Sequence, residues 1–103
     1  MVYICFKTKV ARHRVKEFHE NFPKMMRILE RHGVKSIGVW NVEMGPTTVV
    51  VYLWAAASLE AYEKALTELH QDPEMKPVGE VLFTIYTDSE RWLLRPTPYS
   101  PLQ

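Results

Sequence analysis

With Cys5 as its one cysteine, the chain has no partner for an internal disulfide, and four glycines among 103 residues supply no glycine-rich phosphate loop. Neither sign of charge prevails. Thirteen Lys and Arg stand against twelve Asp and Glu, a net charge of +1, and no block of five like charges occurs. This argues against a charge-driven role at nucleic acid or at a membrane surface. No apolar run approaches the roughly 20 residues of a membrane span. The opening MVYICFKTKV is shorter in its apolar part than the about 7–15 residues of a secretory signal core. Neither H-E-x-x-H nor C-x-x-C is present, so neither a metal site nor a cofactor is expected. A cytoplasmic chain forming one domain, residues 1–103, is the expectation.

What the chain does have is hydrophobic residues, 47% of the total, arranged with clear periods. Val2 to Phe6 is an unbroken apolar run closed by Lys7 to Lys9, which predicts a first strand buried on both faces. Val15, Phe18, Phe22, Met25, Met26 and Leu29 recur at steps of three and four, predicting a helix from about Ala11 to Arg31. Pro23 should kink or restart it, and Gly33 should stop it. Val34 to Met44 then reads as a strand bulged near Gly38. After the Gly45-Pro46 turn signal, Thr47 to Ala55 alternates Thr48, Val50, Tyr52 and Trp54 with Val49, Val51 and Leu53. Ser58 suits the cap of a helix with Leu59, Tyr62, Leu66 and Leu69 on its buried stripe. Asp72-Pro73-Glu74 signals a second start, with Asp72 as cap and a short helix toward Phe83, followed by a last strand from about Thr84 to Leu94.

The order strand, helix, strand, strand, helix, strand is that of an α+β, ferredoxin-like βαββαβ subunit: a four-stranded antiparallel sheet with its helices on one face. The other face stays open. Because the first and third strands are apolar on both sides, several of Val49, Val51, Leu53, Ile4 and Phe6, or their alternates, would meet water in a lone subunit. At about 1.5–3 kcal/mol per buried large side chain, five of them are worth roughly 10 kcal/mol as an upper bound. A homodimer joined through its sheet faces, a dimeric α+β barrel, would bury them. The proline-rich tail, residues 96–103, would then pack on the partner, outside the core of residues 1–95.

Several segments together resemble the NIPSNAP family. They are Leu29-Glu-Arg-His-Gly33, Val42-Glu-Met-Gly-Pro46, Val50-Val-Tyr-Leu-Trp54 with Ser58-Leu59, Asp72-Pro73-Glu74, and the ending from Arg91-Trp-Leu-Leu-Arg95 through Pro101. The resemblance covers nearly the whole chain and implies a ferredoxin-like subunit in a dimeric barrel, with no defined biochemical activity. Members often carry His in the third strand just before Leu-Trp. This chain has Tyr52 there, so no role of that His transfers to it.

The individual chemical groups point to few sites. His13 and His19 lie six positions apart, which on a helix turns them about 120° from each other, so they do not share an ion. His13 reads as a surface residue. His19, at the edge of the buried stripe, faces solvent or a cleft between helix and sheet, while His32 and His70 lie near helix ends, where capping accounts for them. Cys5, in mid-strand, reads as a core thiol, and no serine stands in a G-x-S-x-G turn. The strand carboxylates Glu43, Asp88 and Glu90 read as cross-strand partners of basic residues. The aromatic residues carry more. Tyr3, Trp40, Tyr52, Trp54, Tyr86 and Trp92 all fall on predicted strands, as core or as the lining of a cavity for a flat or apolar ligand. Arg91 and Arg95 either bind an anion there or meet acids on a partner subunit. The pocket candidates are therefore His19, Tyr3, Trp40, Tyr52, Trp54, Tyr86 and Arg91.

Binding of a small apolar or aromatic ligand, or of a protein partner, is the expected function, with no catalytic residue assigned. The alternative is a small monooxygenase, cofactor-independent or haem-using, as found in the same barrel superfamily. Its haem-degrading members are known for an Asn, a Trp and a His. Here Val2 to Lys9 contains no Asn, although Trp54 and His70 stand in comparable regions.

Overall fold

The computed structural model describes residues 1–45 and 48–103, so Pro46 and the strand start expected at Thr47 lie outside the described part. Its elements are β1 (Val2–Val10), α1 (Val15–Arg31), β2 (Lys35–Asn41), β3 (Val49–Ala56), α2 (Leu59–Gln71), α3 (Met75–Ile85) and β4 (Tyr86–Leu94), with one 3-10 turn at Arg12–Arg14 before α1. All strand pairs are antiparallel, in the order β2-β3-β1-β4. This is the ferredoxin-like α+β arrangement, with two helices in its second crossover.

β1 is longer than expected. The lysines that should have ended it alternate with residues facing the helices: Thr8 and Val10 are buried while Lys7 and Lys9 are exposed. The helix-facing side of the sheet carries Ile4, Phe6, Val50, Tyr52 and Trp54, so Ile4 and Phe6 do not belong to the open face. Against that side α1 lays Phe18, Phe22, Met25, Ile28 and Leu29, and α3 adds Val78, Leu82 and Ile85.

α1 runs through Pro23 without restarting, because its buried side chains continue at helical spacing on both sides of the proline. It begins four residues later than expected, since Ala11 is extended and Arg12–Arg14 form the 3-10 turn. Its end follows the glycine. Gly33 has φ +92°, its N–H bonds the Glu30 carbonyl at 3.1 Å, and Val34 N–H bonds the Leu29 carbonyl at 3.1 Å, a Schellman closure with Val34 and Leu29 both buried. Ser58 caps α2 by accepting from Ala61 N–H at 3.1 Å. Asp72 accepts from Glu74 N–H at 2.9 Å, yet residues 73–74 form a turn and α3 starts only at Met75, with Pro77 in its first turn, where no backbone donor is lost.

The open side of the sheet is half apolar and half charged. Cys5, Val51 and Leu53 are half-buried there, Trp40, Trp92 and Leu94 are exposed, and at the other end Lys7 lies opposite Glu90 and Lys9 opposite Asp88. The tail turns back over the apolar end of this face. Tyr3 Oη donates to the Gln103 carbonyl at 3.3 Å, and Leu53, Leu94, Pro96 and Leu102 line the depression around it.

Candidate functional site

Between the sheet and the helices lies a cavity of about 190 Å³. Phe6, Tyr52 and Trp54 form its floor, Met25 and Leu29 come from α1, and Tyr62, Leu66 and Leu69 from α2. The half-buried Tyr86 and the exposed Ser89 and Arg91 line the β4 side, while the exposed His70 and the half-exposed Phe83 stand at the mouth. The rings are fixed by one another. Phe6 stacks on Tyr52 at 4.9 Å between centroids, Phe22 meets Tyr52 edge-on at 4.8 Å, and Trp54 meets Tyr52 at 5.7 Å.

Polar groups converge at one end. The fully buried Thr8 hydroxyl shares hydrogen bonds with Tyr52 Oη at 3.0 Å and Ser89 Oγ at 3.2 Å. Tyr86 Oη is buried and finds no hydrogen-bond partner. Burial pushes the Tyr52 phenol up to about 12, against the pull of Thr8, and pushes Tyr86 up further, with the nearby Tyr52 hydroxyl adding to the effect. Both phenols are therefore neutral at physiological pH. Burial also raises Tyr62, an effect opposed by the positive Arg91 beside its hydroxyl. Arg91 itself has no carboxylate within salt-bridge distance among the described residues.

Of the seven pocket candidates, Tyr52, Trp54, Tyr86 and Arg91 line this cavity and three do not. Trp40 lies on the opposite face. The bulge leaves Ile37 unpaired between Ser36 and Gly38, and that extra residue reverses the facing of every position after it, so the indole ends 54% exposed over Gly38. Tyr3 points to the open face under the tail, because an apolar run without alternation does not reveal which parity faces the helices. His19 is exposed on α1, its ring edge-on to Phe18 at 5.2 Å. Phe6, Thr8, Tyr62, Phe83 and Ser89 were missed. Phe6 and Thr8 were within reach of the sequence, since pairing β1 with β3 sets them opposite Tyr52 and Val50.

A separate polar cluster joins the end of α1 to α2 and the turn before α3. His32 Nδ1 lies 2.8 Å from Glu68 and Nε2 lies 3.0 Å from Asp72, while Arg31 bonds Glu74 at 3.1 Å. Two carboxylates facing one imidazole favour the form in which both nitrogens donate, and these hydrogen bonds, first to Asp72 and then to Glu68, raise His32 above its ordinary value. Among the described residues, no group of three His, Cys, Asp or Glu side chains is arranged to hold a metal ion. No helix of the described part is long and apolar enough to cross a membrane.

A split βαββαβ subunit with an aromatic cavity between sheet and helices defines the class. The chain belongs to the NIPSNAP family, whose model matches residues 8–101. Protein Atu4242 from Agrobacterium tumefaciens is similar throughout, with 20% identity, a TM-score of 0.89 and 100% of both chains covered. A NIPSNAP family protein of the same organism, Atu5224, shares 22% identity over 99% of this chain and 98% of its own, with a TM-score of 0.85. More distantly similar is a putative antibiotic biosynthesis monooxygenase from Nitrosomonas europaea, at 10% identity over 93% of this chain and 98% of its own, with a TM-score of 0.73. At these identities the solved structures establish the fold. No curated protein sequence matches this chain.

Proposed function

We propose that the protein is a cytoplasmic homodimer joined through its open sheet faces, each subunit holding a small apolar or aromatic molecule in the cavity under its helices. The observation that carries this reading is the unsatisfied Tyr86 hydroxyl in a ring-lined space. A buried polar group without a partner costs about 1–3 kcal/mol, a cost that a ligand acceptor would remove. The apolar end of the open face, with Trp40, Trp92 and Leu94 exposed, supports the dimer. Haem does not fit the cavity. Its volume of about 190 Å³ is below the roughly 300–1,000 Å³ typical of drug-sized ligands, and a porphyrin is larger still.

Titrating benzyl alcohol while following the three indole N–H resonances tests the cavity. Trp54 should shift while Trp40 and Trp92, on the other face, stay in place. No movement of Trp54 at tens of millimolar probe would contradict the reading.

A further inference from the structure

We infer that the cavity is selective for a single-ring organic carboxylate, its anionic group on Arg91 and a further acceptor atom on the Tyr86 hydroxyl. This rests on the ligand-cavity reading above and assigns the chemistry of its occupant. Three observations lead to it.

Size comes first. A dry cavity of about 150 Å³ admits benzene, so about 190 Å³ suits one ring with short substituents. The second is charge. Arg91 lies opposite Phe6 in the strand register, on the helix-facing side, whereas its neighbours Glu90 and Trp92 alternate to the open face. It therefore borders the cavity, without a carboxylate partner among the described residues. A guanidinium at the rim of an aromatic pocket offers a planar fork for a carboxylate. The third is polarity beside β4. Thr8, Tyr52 and Ser89 bond one another, while Tyr86 Oη, beside the Tyr52 hydroxyl, has no partner within hydrogen-bond geometry. Ser89 and Arg91 are two residues apart on one face of β4, about 7 Å along the backbone, so the cation and the polar cluster border the same cavity from successive positions of one strand.

Calorimetric titration with benzoate, 4-acetylbenzoate, benzyl alcohol and benzylamine tests the assignment. Benzoate should bind at least about tenfold tighter than either benzyl alcohol or benzylamine, the discrimination expected of one charge-assisted pair. Arg91→Gln should abolish that preference and Arg91→Lys should restore part of it. The 4-acetyl group should add a few-fold in affinity, and Tyr86→Phe should remove that increment while leaving benzoate unchanged. Both positions are mild with respect to folding, one being exposed and the other keeping its ring, and retained cooperative melting is the control. Equal binding of benzoate and benzyl alcohol would overturn the carboxylate assignment and leave the cavity reading standing. Binding of no probe would overturn both. An Arg91→Gln protein with unchanged benzoate affinity but a weakened dimer would overturn the assignment by giving Arg91 to subunit contacts.

Discussion

The two faces of one sheet are built from the same four strands and behave oppositely. Toward the helices, Ile4, Val50, Tyr52 and Trp54 are each less than 5% exposed, closed in by α1, α2 and α3. On the reverse, one residue along in the strands, Trp92 is 48% exposed and Leu94 43%, and the tail covers part of the surface. Composition alone does not separate the two faces. What separates them is which apolar side chains already have partners within the subunit, and in the proposed dimer this decides whether a substitution is felt as lost folding or as lost association.

Substituting tryptophans on the two faces should give the widest contrast. Trp54→Ala should destabilise the fold by about 3–5 kcal/mol in urea unfolding, the cost of emptying a packed aromatic site. Trp92→Glu should leave the unfolding of the isolated subunit nearly unchanged and lower the sedimenting mass. Comparable stability losses for both would erase the distinction between the faces.

Within the helix-facing side, Thr8→Val should cost about 1–3 kcal/mol, because it keeps the volume while taking the hydrogen bonds of Tyr52 and Ser89. A neutral result would mean that the polar cluster contributes nothing to holding the cavity. Smaller still is the effect of pH through the cluster outside the sheet. The hydrogen bonds to Asp72 and then Glu68 raise His32 above its ordinary 6.5, so its contribution is complete below that value and is lost as pH rises through the raised one. Asp72, held low by His32, works in the other direction and loses its contribution only as pH falls below the ordinary carboxylate range. The urea midpoint should therefore decline modestly from pH 6 to 8.5, and His32→Ala should flatten that slope. An unchanged slope in the variant would remove His32 as its cause.

Much of this is legible in the amino-acid sequence wherever the signal is local. Gly33 marks the end of α1 because its positive φ closes the Schellman hydrogen bonds, and Ser58 marks the start of α2 because a hydroxyl there meets a free N–H. Long-range facing was harder to read. The bulge at Ile37 was expected near Gly38, but its consequence, the transfer of Trp40 to the open face, depends on which positions pair with β3. The apolar run of β1 hid the outward facing of Tyr3 for a similar reason, since parity without alternation has no sign. Tyr86 is a different case. Its aromatic ring on the expected last strand makes it a candidate, whereas the absence of a partner for its hydroxyl emerges only from the packed structure.

Sedimentation equilibrium of the unmodified protein at micromolar concentration tests most directly whether a second copy covers the open face. The account requires a folded species of twice the chain mass of 12.1 kDa, dissociating when Trp92 is replaced by Glu. A cooperatively folded particle of 12.1 kDa under those conditions would contradict it.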